Sequence, residues 1–80
     1  MRTLKKIENY MNREDAHGFS VQSKTTIMDV LIHITGNCDV TIYKNGKLTE
    51  NFAMHRDSIV KEVDKRFDKD DRSLCAYLFG

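Results

Sequence analysis

Eighty residues can bury one hydrophobic core but hardly two, so a single small domain spanning 1–80 is expected. Apolar residues at 40% and charged residues at 31% exclude the apolar-poor, charge-rich composition of disordered chains. Thirteen basic and twelve acidic side chains leave a net charge of +1, which excludes a whole-molecule field for nucleic acid or anionic membrane.

The chain opens MRTLKK, without the long apolar run of a signal peptide, and no 18-residue apolar window follows, so no membrane partner is expected. Cys38 and Cys75 are too few for the disulfide framework of small secreted domains, which points to a reduced, cytoplasmic chain.

Thr3 can cap a helix in which Leu4, Ile7, Tyr10 and Met11 recur at helical spacing, opposite Lys5, Lys6, Glu8 and Arg13, ending near Glu14. Asp15, His17 and Gly18 supply turn chemistry before Phe19 and Val21 alternate with Ser20 and Gln22, the pattern of a short strand. The segment from Thr25 to Thr35 fits helix or strand by periodicity. Its β-branched Val30, Ile32 and Ile34 favour a strand with Met28, Val30, Ile32 and Ile34 on one face and Asp29 and His33 on the other.

Gly36-Asn37 and Asn45-Gly46 are turn dipeptides that divide CDVTIYK from the neighbouring apolar runs and predict an antiparallel meander. With three-residue loops at both glycines, Ile42 would pair with Leu48, Val40 with Glu50, Ile34 with Val40 and Ile32 with Ile42. Asp57 or Ser58 can cap a second helix whose stripe is Ile59, Val60, Val63 and Phe67. Beyond the charged run 68–72, the apolar residues from Ser73 to Phe79 form an edge strand or a last helical turn. The expected fold is α+β: an N-terminal helix, a three- to four-stranded antiparallel meander, a helix on one sheet face and an apolar C-terminal strand or turn.

The candidate metal ligands His17, His33, His55, Cys38 and Cys75 lack any preorganising spacing, so no metal is expected. Gly18, Gly36, Gly46 and Gly80 are isolated, no phosphate loop is present, and no cofactor is expected. Nucleophilic catalysis needs a serine or cysteine with a base, for example Cys38 with His33 or His55, and eighty residues leave little room for the concave pocket an enzyme needs. No catalytic residue is assigned and no enzyme is expected.

Two binding surfaces are expected. Leu74, Tyr77, Leu78 and Phe79 crowd a terminus that is normally polar and frayed, and with Tyr43 they are the candidate protein interface. Arg2, Lys5, Lys6, Lys44, Lys47 and Arg56 are the candidate phosphate contacts of the alternative, a nucleic-acid-binding regulator. Residues 56–72 carry six basic and six acidic side chains, which favours a solvated face over a phosphate grip. In outline, helix, three strands, helix resembles double-stranded-RNA-binding domains, but the second helix here begins HRDSIVKEV and lacks their lysine cluster.

The favoured expectation is a non-enzymatic protein–protein interaction module with a partner of unstated identity, a second copy of the chain being one such partner. A short reading frame opening on Met1 without a catalytic constellation is the kind that phages and mobile elements use as inhibitors or regulators of host proteins. That last expectation rests on size.

Overall fold

A computed structural model describes residues 3–67 and 73–75. Its elements are α1 (Thr3–Met11), β1 (Gly18–Gln22), β2 (Thr26–Ile32), β3 (Asn37–Lys44), β4 (Lys47–His55), a 3-10 turn (Arg56–Ser58), α2 (Ile59–Arg66) and β5 (Ser73–Cys75). The fold is α+β, with a five-stranded antiparallel sheet in the order β4-β3-β2-β1-β5. β1 to β4 form an up-and-down meander, and β5 returns to pair with β1, so the C-terminal apolar segment begins as a strand.

Alternation along the strands divides the sheet into two faces. Phe19, Val21, Met28, Val30, Cys38, Val40 and Ile42 point inward and are buried in one cluster with Ile7, Tyr10 and Met11 of α1 and with Ile59, Val63 and the adjoining Phe67. In α2 the buried residues Ile59 and Val63 recur at helical spacing, while Lys61, Asp64 and Lys65 stay exposed. The Tyr10 hydroxyl ties α1 to β1: it donates to the Gly18 carbonyl at 2.9 Å and accepts from the amides of His17 and Gly18 at 3.1 and 3.3 Å.

Both predicted hairpins form, the β3–β4 one with a register two residues and the β2–β3 one four residues away from the expected one. Asn45 and Gly46 both have positive φ, 54° and 80°, the requirement of a two-residue type I′ loop, so Lys44 pairs directly with Lys47 and Tyr43 with Leu48. A bulge then carries Thr49 past the ladder, its hydroxyl donating to the Ile42 carbonyl at 3.1 Å, so Ile42 faces Glu50 and Val40 faces Phe52. At the other hairpin the loop is Ile34-Thr35-Gly36, closed by the Gly36 amide on the His33 carbonyl at 2.9 Å, so Ile32 pairs with Cys38 and Val30 with Val40. Ile34, expected on the core face, therefore stands fully exposed at a loop tip.

The second helix is also entered differently. Ser58 occupies the N-cap of α2 without a side-chain cap bond, and the His55 ring instead accepts from the Asp57 amide at 3.2 Å to cap the 3-10 turn. At the far end Arg66 clamps α2 to β4 by donating to both carboxylate oxygens of Glu50, at 2.7 and 3.0 Å, and also to Glu62. Its guanidinium lies 5.2 Å from the centre of the Phe52 ring.

The Arg66 guanidinium holds the Glu50 carboxyl below its ordinary range. A carboxylate with a lowered folded pKa contributes stability above its unfolded pKa and loses it as pH falls through the folded one. Arg66→Gln is therefore expected to lower Tm by roughly 2–4 °C at neutral pH. Thermal melts from pH 7 to pH 3 should show that gap narrowing in acid; a constant gap would assign the effect to packing on Phe52 alone.

Candidate functional site

The face of the sheet opposite the core cluster is a grid of three rows crossing β2, β3 and β4. Ile27, Tyr43 and Leu48 form the row nearest the Asn45-Gly46 turn. Asp29, Thr41 and Asn51 form the central row, which Ser20 of β1 extends by pairing with Asp29. Leu31, Asp39 and Ala53 form the third.

The first row is apolar and open. Leu48 is 61% exposed, Tyr43 and Ile27 are half-buried, and Leu31 in the third row is 44% exposed. Leu48, expected to pair with Ile42 on the core face, lies opposite Tyr43 on the outer one because the type I′ loop and the Thr49 bulge set the register.

The central row is acceptor-rich. Asn51 Nδ2 donates to the Thr41 hydroxyl at 2.9 Å and to the Val40 carbonyl at 3.2 Å, which leaves Asn51 Oδ1 without a partner among the described residues. Asp29 has no hydrogen-bond or ion-pair partner among the described residues, and burial pushes its carboxyl up. Ser20 is fully buried, and its hydroxyl has no partner either. In the third row Asp39 meets His33 Nε2 at 2.7 Å. A concavity of about 660 Å³ is lined by Asp29, Leu31, Asp39, Thr41 and Asn51 together with Phe19 and Val30.

Of the candidate interface residues, Tyr43 lies at the centre of the apolar row. Leu74 lies in β5, paired with Val21, and Tyr77, Leu78 and Phe79 lie outside the described residues. The candidate phosphate contacts are not brought together. Lys44 and Lys47 face each other beside one hairpin turn, whereas Arg56 lies at the opposite end of β3, where its amide donates to the Gly36 carbonyl at 2.9 Å. The eight residues of β3 separate the two sites by roughly 23 Å. The Arg56 guanidinium is occupied by the Met11 carbonyl at the end of α1. Lys5 and Lys6 are exposed on α1, Lys5 lying 3.8 Å from Glu8, and Arg2 lies outside the described residues.

Cys38 and the two histidines weighed with it are also separated. Cys38 is inward and fully buried, and burial pushes its thiol up, away from the reactive thiolate. His55 is paired with Asn37 on the other face, and His33 is bound to Asp39. Among the described residues no three His, Cys, Asp or Glu side chains gather as a metal set, and no helix is long and apolar enough to cross a membrane.

No family model, no curated protein and no solved structure matches this chain. The site's own geometry is therefore the ground for a functional reading.

Proposed function

We propose that this protein acts by binding another protein through the outer face of its sheet, as a small non-enzymatic interaction module of the regulator or inhibitor type. The observation that carries the reading is the open row Ile27-Tyr43-Leu48, an aromatic ring between two aliphatic side chains on three adjacent strands. Apolar side chains that adjoin across strands and keep part of their surface in solvent form a patch rather than scattered contacts, and such patches mark interaction surfaces. A tyrosine at its centre supplies broad contact area and a hydroxyl that keeps the free surface soluble. Occupying a partner's surface requires no chemistry from this chain, which is why a regulator or inhibitor role suits it.

A photo-crosslinking side chain placed at Tyr43 or at Leu48, with a control at the exposed Lys61 of α2, tests the reading in lysate of the source organism. One stoichiometric protein adduct is expected from the two row positions and not from the control, unchanged by nuclease and by moderate salt. Leu48→Lys should reduce recovery of that protein at least tenfold, about 1.4 kcal/mol, because it places a charge in a desolvated apolar contact. An adduct of twice the chain's mass would make the partner a second copy. Equal labelling from Lys61, or recovery of nucleic acid that salt removes, would overturn the proposal.

A further inference from the structure

The apolar row states where a partner touches, and the row beside it states what the partner carries. The nine positions of the β2-β3-β4 grid hold two carboxylates, Asp29 and Asp39, and no lysine or arginine. Asp39 is matched by His33, but Asp29 has no counter-charge among the described residues. A half-buried carboxylate without a counter-charge, in the wall of a concavity that Asp39, Thr41 and Asn51 also line, marks a place where a cationic ligand completes the bonding.

Geometry narrows the ligand. Asp29 and Asp39 are diagonal neighbours on β2 and β3, about 7–8 Å apart at the backbone, a separation that suits a branched organic cation better than chelation of one metal ion. Along the central row the acceptors recur at the strand spacing of about 4.8 Å: the Asp29 carboxylate, the Thr41 hydroxyl and Asn51 Oδ1. A guanidinium offers five donors in a planar fork and meets a carboxylate with two of them, whereas an ammonium is a point charge with a tightly held hydration shell. Ile27 and Tyr43 on one side and Leu31 on the other supply apolar surface for the arginine's methylene stem and for its neighbours in sequence.

We propose that the Asp29-Thr41-Asn51 row receives an arginine side chain from the bound protein, presented between apolar residues that rest on the flanking rows. The inference rests on the protein-binding reading and names the chemistry of the partner's contact. Asp29 forms the paired hydrogen bonds, and the Thr41 hydroxyl, one strand away, takes up a remaining donor.

The test uses the full chain, labelled with nitrogen-15, and two blocked tripeptides, acetyl-Leu-Arg-Leu-amide and the same peptide with citrulline, which keeps the shape of arginine and removes its charge. The arginine peptide is expected to shift the amide signals of Ser20, Asp29 and Thr41 in a saturable way, about tenfold more tightly than the citrulline peptide. Asp29→Asn should abolish that preference while leaving the remaining amide spectrum in place. Equal affinity for the two peptides, an arginine preference that survives Asp29→Asn, or no saturable shift at these amides would overturn the inference. If Asp29→Asn loses the native spectrum, the comparison of the two peptides on the unaltered chain decides alone. Cross-linking from Tyr43 and Leu48 does not involve Asp29, so a cross-linked partner together with equal peptide affinities removes the arginine assignment and leaves the protein-binding reading standing.

Discussion

Phe19→Ala is expected to lower the free energy of unfolding by about 3–5 kcal/mol, the largest effect of any substitution considered for this chain. Phe19 is 1% exposed, lies opposite Val30 in the β1–β2 pair, and meets the Tyr10 ring edge-on with centroids 5.9 Å apart. Truncation therefore leaves a void at the junction of α1 with the sheet and also removes the aromatic pair that orients Tyr10 toward Gly18. A chain of eighty residues is stable by roughly 4–12 kcal/mol, so the loss takes about a quarter of the total or more. Urea unfolding followed by circular dichroism should show a midpoint shift of that size at unchanged slope. A midpoint shift corresponding to less than about 1 kcal/mol would mean that α1 does not depend on this contact for its place in the core.

The parts of the fold that depend on local pattern were legible in the sequence. Met28 and Val30 alternate with polar or half-exposed neighbours in a β-branched segment, which separated strand from helix, and Ile59, Val63 and Phe67 recur at helical spacing because each turn of α2 must return an apolar side chain to the same side. Register was not legible in this way. It depends on how many residues each loop absorbs and which ones: Asn45-Gly46 is compatible with a loop of two or three residues, and the three-residue loop at Gly36 ends on the glycine instead of starting there. Ile34 looked like a core residue because it continues the β2 alternation. The Gly36 loop takes it out of the ladder, and its apolar character says nothing about that.

The same uncertainty hid most of the candidate site. Tyr43 was singled out from sequence, but Ile27 and Leu48 could join it only once Lys44 was paired with Lys47. One signal pointed there: in a two-residue Asn-Gly loop both residues take positive φ and the flanking residues pair directly. Thr49 gave no sign of the bulge, since a polar residue suits a bulge and an outward ladder position equally well. Ser20, Asp29, Thr41 and Asn51 are ordinary polar residues in three separate segments and β1, and nothing in their spacing along the chain suggests a row. Their meaning comes from cross-strand neighbours, which one-dimensional pattern does not contain. Conversely, Lys44, Lys47 and Arg56 looked like one basic group because they are close in sequence, and the length of β3 separates them.

Gly36→Ala is expected to cost about 1–3 kcal/mol, clearly more than Gly46→Ala, although both glycines have positive φ, 93° and 80°. The backbone penalty of a side chain in this region applies at both positions. Surroundings make the difference: a Cβ at Gly46 meets nothing within 4 Å, whereas a Cβ at Gly36 comes within 3.2 Å of His55 Nε2 and 3.6 Å of the Arg56 side chain. His55 is not free to swing away without consequence, because its other ring nitrogen accepts the Asp57 amide and caps the turn that leads into α2. Crowding at a β2–β3 loop is thereby transmitted to the entry of a helix more than twenty residues on. A double-mutant cycle measures this coupling directly. Gly36→Ala should cost about 0.5–1 kcal/mol less in a His55→Ala background than in the native one, since the clash is gone and the cap has already been lost. Equal costs in the two backgrounds would show that backbone strain alone sets the demand for glycine at this loop, and that the His55 cap is independent of it.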